Sequence, residues 1–334
     1  MPIRVAVVGA GSWGTTVASL ASRNAPTQLW ARSKELAEQI NGEHRNGQYL
    51  SAYELPDALV ATSDLEEAVA NADVVVMGVP SHGFRDVLTE AAAHVRPWVP
   101  VVSLTKGLEQ QTMLRMTEVI GELLPGHPAG VLTGPNLAKE IMAGHPAASV
   151  VAMADPVISL ELQRIFSTDI FRVYTNPDVT GCELGGTLKN VMAIAAGMAD
   201  GMGFGDNTRA ALITRGLAEL TRLGVAMGGD PMTFAGLAGM GDLVATCIST
   251  QSRNRGVGEQ LGKGRKIDEI IEEMHMVAEG VKSSKTVLDL GERHGVEMPI
   301  AAAVASVIHD GATAADAMLA LLSRQAKSEL QGLR

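Results

Sequence analysis

Gly9-Ala10-Gly11-Ser12-Trp13-Gly14 follows an apolar, β-branched run that begins at Ile3 and precedes a helix-period segment over 15–22. Strand, glycine turn and helix in that order constrain the fold more than any other feature. Gly9 permits the tight turn, Gly11 lets a pyrophosphate approach the backbone, and Gly14 lets the helix pack close to the sheet. The helix N-terminus then offers unpaired N–H groups and partial positive charge to phosphates. Ser12 and Trp13 fall where a dinucleotide would touch the turn.

Further apolar runs over 3–8, 27–31, 73–79, 99–104, 130–133 and 149–153 alternate with helical patterns such as 33–41. Nearly continuous apolar segments are expected of parallel strands buried on both faces. The first half therefore reads as a Rossmann-type, doubly wound α/β sheet with right-handed crossovers. After about Thr175 the β-branched runs give way to helical patterns over 183–200, 207–227, 231–246, 268–274, 282–294, 298–309 and 313–322. These predict an all-α C-terminal domain, which the motifs and the resemblance given below make the expected substrate domain. The expected division is 1–182 for the dinucleotide-binding domain and 183–334 for the helical catalytic domain. Asn176-Pro177-Asp178 supplies a turn near the boundary. The tail over 322–334 is polar.

With 37 acidic against 27 basic residues in 334, the formal net charge is −10. That balance argues against a nucleic-acid-binding protein, which would show a basic face. Two cysteines, Cys182 and Cys247, build no disulfide framework and have no metal-ligand spacing, so they read as small buried hydrophobes and no metal is expected. A strand pattern already at Ile3 leaves no signal peptide in view. Apolar stretches such as 191–198 and 301–308 fall short of the roughly 20 residues a membrane span needs. The expected compartment is the cytoplasm, with reduced thiols.

Several strand and helix ends carry candidate chemistry. Arg32, after the second run, stands where an NAD-selective site would place an acid, and its guanidinium suits a 2′-phosphate. NADP(H) is expected to be preferred, with NAD(H) a second option because Glu35 is close by. Val79-Pro80-Ser81-His82 borders the same crevice. Lys106, in Ser103-Leu104-Thr105-Lys106-Gly107, ends a buried strand and could bind a phosphorylated substrate or polarise a carbonyl. Gly134-Pro135-Asn136-Leu137-Ala138-Lys139-Glu140 makes a turn and a helix start whose N–H groups suit an anion or a cofactor amide. Lys189, beside Asn190 in an apolar helix, would have its pKa lowered by partial burial and by a cation such as Lys106. A lysine so tuned can exchange a proton with a substrate hydroxyl. Asp242, in apolar Gly239-Met240-Gly241-Asp242-Leu243, is costly to bury without a partner, and Lys189 is the candidate. Ser252-Arg253-Asn254-Arg255 clusters donors suited to a phosphate.

In order, GAGSWG, SLTKG, GPNLAKE, GGTLKNVMAIAAG, AGMGDLVATC, SRN and MVAEG give the chain a resemblance to the bacterial NAD(P)-dependent sn-glycerol-3-phosphate dehydrogenases. The resemblance runs to about Ile308. It implies reduction of dihydroxyacetone phosphate to sn-glycerol 3-phosphate, a phospholipid head-group precursor. It places Ser12, Trp13, Arg32, Ala138, Arg253, Val277 and Glu279 on the cofactor, and Lys106 at the junction of cofactor and substrate. Gly134, Asn136, Asp242, Ser252, Arg253 and Asn254 match substrate positions. Lys189 matches the family's proton donor/acceptor, with Asn190 and Thr246 as supporting polar residues. Asn136 departs from the Ser or Thr of many members. The alternatives are another β-hydroxyacid dehydrogenase of the same architecture and a non-catalytic dinucleotide sensor. The pattern leaves room for a homodimer.

Overall fold

The computed structural model describes residues 2–274 and 278–325. The chain divides into two compact units, Met1–Val179 and Thr180–Arg334.

The first unit holds one eight-stranded sheet. Its strands are β1 (Val5–Val8), β2 (Thr27–Trp30), β3 (Leu59–Thr62), β4 (Val74–Met77), β5 (Val101–Ser103), β6 (Ala129–Thr133), β7 (Ala147–Met153) and β8 (Phe171–Asn176), in the order β3-β2-β1-β4-β5-β6-β7-β8. Both faces are buried. Val5 and Val7 enter one apolar cluster, while Ala6 and Val8 enter another. β4 splits the same way, with Val74 and Val76 on one side and Val75 and Met77 on the other. Two faces to cover explain the continuous apolar runs of the central strands.

The two strands the sequence pattern does not predict, β3 and β8, are the sheet's edges. In β8, Phe171 and Val173 are buried while Arg172 and Tyr174 are exposed. An edge strand alternates, so it lacks the continuous signal of the interior.

The all-parallel expectation needs a correction at β7. It pairs antiparallel with β6, Thr133 opposite Val150, and β8 then runs parallel to β7. The chain turns back through Gly134 and the short helix Ala138–Met142 rather than crossing over. β7 therefore starts at the end of the sheet where β6 finishes. Since β1, β2, β4, β5 and β6 are mutually parallel, that end also collects the loops after β1, β2 and β5. The strand order reverses at β1, the switch point of a doubly wound sheet.

The second unit is helical, built around the long helix Val179–Gly201. The sequence pattern predicts no helix over 252–262, but one runs Arg253–Gly262. Its Gly258 and Gly262 hide the pattern, yet they are what the packing requires. A Cβ on Gly258 would lie 2.0 Å from the Ile194 carbonyl oxygen, and one on Gly262 would lie 2.3 Å from that of Met198. Gly197 and Gly201 return the contact, with Arg255 and Glu259 carbonyl oxygens at 2.0 and 2.2 Å. Glycines four apart on both helices bring the backbones into direct contact.

The predicted single helix over 231–246 is broken. Helix Pro231–Phe234, a π-turn over Leu237–Gly241 and helix Asp242–Ile248 replace it. Among the described residues, Pro231–Ile248 is long and apolar enough by composition to cross a membrane, with mean hydropathy 1.3. This stretch is longer than the runs over 191–198 and 301–308 that the sequence pattern singles out. The stretch is nonetheless interrupted by the π-turn, and it carries the buried Asp242.

Candidate active site

In the first unit, Gly9 takes φ +119°, open to glycine but strained for other residues. A Cβ on Gly14 would sit 2.0 Å from the Gly9 carbonyl oxygen, so the turn and helix Ser12–Ala21 close tightly on each other. Three observations suit a dinucleotide pyrophosphate there. Among the described residues, a Cβ on Gly11 would meet open space, the helix has no side-chain cap, and the buried donor Trp13 Nε1 has no partner. The Trp13 ring packs 6.2 Å from that of Phe171.

Arg32 is exposed after β2 and forms no ion pair among the described residues. Ser33 caps helix Lys34–Glu43 through the Leu36 N–H, and its hydroxyl donates to the Glu35 carboxylate at 2.6 Å. That bond holds the Glu35 carboxyl below its usual range.

Lys106 follows β5 and donates to the Gly134 carbonyl at 2.8 Å. Gly134, at φ +138°, packs where a Cβ would come within 3.2 Å of Ser149 Cα. Asn136 Nδ2 donates to Ser149 Oγ at 3.1 Å, and Ser149 Oγ donates to the Thr133 carbonyl at 2.8 Å. Asn136 Oδ1 is buried and has no partner among the described residues. Ala138 opens the helix that follows. Lys106, Gly134 and Asn136 thus form one local assembly where β6 ends and β7 begins.

In the second unit, a Cβ on Gly185 would lie 2.5 Å from the Ala238 carbonyl oxygen, so the π-turn rests directly on the long helix. Lys189 is one turn further along the same face. Its ammonium meets Asp242 Oδ1 at 2.7 Å and donates to Thr246 Oγ1. The Thr246 hydroxyl in turn donates to the Asp242 carbonyl at 2.6 Å. Lys189 and Asp242 are 5% and 2% exposed, which makes theirs a fully desolvated ion pair. Buried Asn190 adjoins Lys189 on the helix. Two of the three ammonium N–H groups are engaged, and one remains among the described contacts. Cys247 and Cys182 are both buried and share no disulfide, as small hydrophobes should be. Burial pushes the Cys247 thiol up to about 12, against the opposing pull of Lys189.

Ser252 caps helix Arg253–Gly262 by accepting from the Arg255 N–H. Asn254 Oδ1 accepts the Gly280 N–H at 2.9 Å, where helix Glu279–Arg293 begins. The Asn254 amide N–H groups make no hydrogen bond among the described residues. Partial desolvation lowers the Arg253 pKa, and the Glu279 carboxylate counters it. Arg255, grouped by the sequence with the phosphate donors, is instead committed to Asp200 at 2.8 Å. Val277 lies outside the described residues. No group of three His, Cys, Asp or Glu that could hold a metal occurs among the described residues.

Sequence reasoning missed Glu219. It is 2% exposed and accepts the Ile300 N–H at 2.8 Å at the start of helix Pro299–His309. Burial raises its carboxyl to about 7. It lines a cavity of about 1080 Å³ with Arg215, Arg222 and Met318, which no predicted site residue borders.

Comparison with known proteins follows the same two-part division. Residues 4–158 match the family described as NAD-dependent glycerol-3-phosphate dehydrogenase N-terminus, and residues 178–319 match its C-terminus. The chain is 63% identical over 329 residues to glycerol-3-phosphate dehydrogenase (NAD(P)+) 2 of Sphingopyxis alaskensis, covering 98% of this chain and 99% of that protein. Against the Mycobacterium avium glycerol-3-phosphate dehydrogenase (NAD(P)+) it is 55% identical, covering 98% and 97%. The crystal structure of the Coxiella burnetii glycerol-3-phosphate dehydrogenase superposes with a TM-score of 0.91 at 37% identity, covering 97% of this chain and 99% of that one.

Proposed function

Because the chain belongs to the NAD-dependent glycerol-3-phosphate dehydrogenase family, we propose that it reduces dihydroxyacetone phosphate to sn-glycerol 3-phosphate with NADPH or NADH. The observation that carries the mechanism is the buried Lys189 ammonium, fixed by Asp242 and Thr246 with one N–H left over among the described residues.

When bound, the nicotinamide cofactor supplies the hydride for C2 of the substrate. Lys189 donates its remaining proton to the oxygen on that carbon, and the neutral amine takes it back in the reverse direction. Asp242 stabilises the ammonium, and Thr246 fixes where it points. Asn190 supports this polar group. Ser252, Arg253 and the Asn254 amide hold the phosphate, far from the reacting carbon, so that binding energy there orients the carbonyl. Lys106, Gly134 and Asn136 add substrate contacts from the first unit. Gly9, Gly11, Ser12, Trp13, Gly14, Arg32, Lys106 and Ala138, with Arg253, Val277 and Glu279, hold the cofactor.

In this reading the working division is 1–182 for cofactor and 183–334 for catalysis. The product feeds phospholipid synthesis, the enzyme acts in the cytoplasm, and it works as a homodimer.

The test is oxidation of NADPH, and separately NADH, by purified protein with dihydroxyacetone phosphate, using ketopantoate as the control. Turnover with dihydroxyacetone phosphate alone is expected; turnover with neither would sink the substrate assignment. Arg32→Ala should raise the KM for NADPH about tenfold while leaving NADH nearly unchanged, the loss of one charge-assisted contact. Equal effects on both would remove Arg32 from the 2′-phosphate.

A further inference from the structure

Hydrogen-bond polarity in the first unit determines which end of the Asn136 amide meets a ligand. The Thr133 carbonyl can only accept, so the single Ser149 proton is committed to it at 2.8 Å. Towards Asn136, Ser149 Oγ can then only accept. The amide must present Nδ2–H, as it does at 3.1 Å. Its other end, Oδ1, is left as a buried acceptor with no partner among the described residues. Ser149 is fully buried and its main chain packs against Gly134, so the relay is rigid. The same turn presents the Gly134 carbonyl to Lys106 at 2.8 Å, two residues before Asn136 in the chain.

We infer that Ser149 is a positioning residue that makes Asn136 an obligate hydrogen-bond acceptor for a donor group on the bound ligand. Serine in place of Asn136 would carry a hydroxyl free to rotate, able to donate or accept. An asparagine clamped by Ser149 can only accept on its free side. This selects for a ligand O–H or N–H and against a bare carbonyl or phosphate oxygen at that point. Resting on the proposed reaction, two groups supply such a donor: the free hydroxyl of the phosphorylated triose, or the carboxamide N–H2 of the nicotinamide.

A double-mutant cycle tests this, with the unmodified protein, Ser149→Ala, Asn136→Ser and the double variant. Two constants are measured by calorimetry: that for NADPH, and that for sn-glycerol 3-phosphate binding to the NADP+ complex. With Asn136 present, Ser149→Ala should weaken one constant about tenfold, because the amide is then free to turn over. In the Asn136→Ser background, the same change should cost less than about twofold, because a hydroxyl needs no clamp. Loss confined to the glycerol phosphate constant assigns the donor to the triose hydroxyl, and loss confined to NADPH assigns it to the carboxamide. Equal penalties in both backgrounds, or no penalty in either, would overturn the inference and leave Ser149 a packing residue. Failure of the functional reading is separable. It would show as no glycerol phosphate binding and no turnover in the unmodified protein, while the NADPH arm of the cycle still decides the clamp.

Discussion

Asp242 and Glu219 are both carboxylates of the second unit, and both are 2% exposed. Asp242 faces the Lys189 ammonium at 2.7 Å. Glu219 has no ion pair among the described residues; the Ile300 N–H at 2.8 Å and the Ala301 N–H at 3.4 Å meet it at a helix start. Arg222 and Arg215 act on it only at a distance, and burial wins, raising its carboxyl to about 7. Depth of burial is therefore the same, and the partner decides the chemistry. A carboxylate on an ammonium holds a proton donor in place. A carboxylate on backbone N–H groups ties down a helix and titrates near neutrality.

Removing the lysine should break the comparison most sharply. Lys189→Ala is expected to lower kcat about 1000-fold, within the usual worth of a general acid. NADPH affinity, measured by fluorescence titration, should stay within about threefold, because a proton donor does not bind the cofactor's phosphates. Joint loss of both would make Lys189 structural.

Taking away the other half of the pair reads out stability. Asp242→Ala strands a buried ammonium and should cost about 3–5 kcal/mol. The paired change Lys189→Met with Asp242→Leu should recover most of that stability with no recovery of turnover. Denaturant titration of the three variants checks it, and equal losses in single and double variants would deny the pairing.

Glu219 should make stability depend on pH. Its folded pKa lies above its unfolded value of 4.5, so the folded state binds the extra proton. Its stabilisation is present below about 4.5 and fades as pH rises through about 7, an effect of about 3 kcal/mol. Glu219→Gln keeps an acceptor for the Ile300 N–H and removes the titration. Melting temperatures taken from pH 5 to pH 8 should turn increasingly in the variant's favour. A constant difference across that window would place the Glu219 titration elsewhere.

The smallest effect belongs to Thr246. Thr246→Val removes one hydrogen bond to Lys189 and leaves Asp242 in place, so kcat should fall about tenfold. A fall as deep as that of Lys189→Ala would make the hydroxyl an equal partner of the carboxylate.

Asp242 was legible because an acid in a stretch of glycine and apolar residues has no ordinary surface role, and the nearby lysine helix offered a partner. Glu219 was not. Gly216-Leu217-Ala218-Glu219-Leu220-Thr221-Arg222 reads as an ordinary amphipathic turn with its charges outward. Only the arrival of helix Pro299–His309, with a free N-terminus to cap, buries that acid. Arg255 failed in the reverse direction: it resembled a phosphate donor, but Asp200 of the long helix holds it.

By itself the sequence determined what local chemistry dictates. The turn at Gly9 needs a positive φ, the central strands need two apolar faces, and Lys189 needs an apolar helix with an acid to match. These are properties of neighbours along the chain. Tertiary structure decided whatever depends on distant backbone. The reversal of β7 places Ser149 under Asn136, and the contact of Gly197 and Gly201 with Gly258 and Gly262 makes a helix of a segment whose own pattern predicts none. The physical reason is the same in both cases. Hydrogen-bond polarity and backbone approach are set by which atoms meet in space, and a residue carries no local mark of the carbonyl that will lie against it.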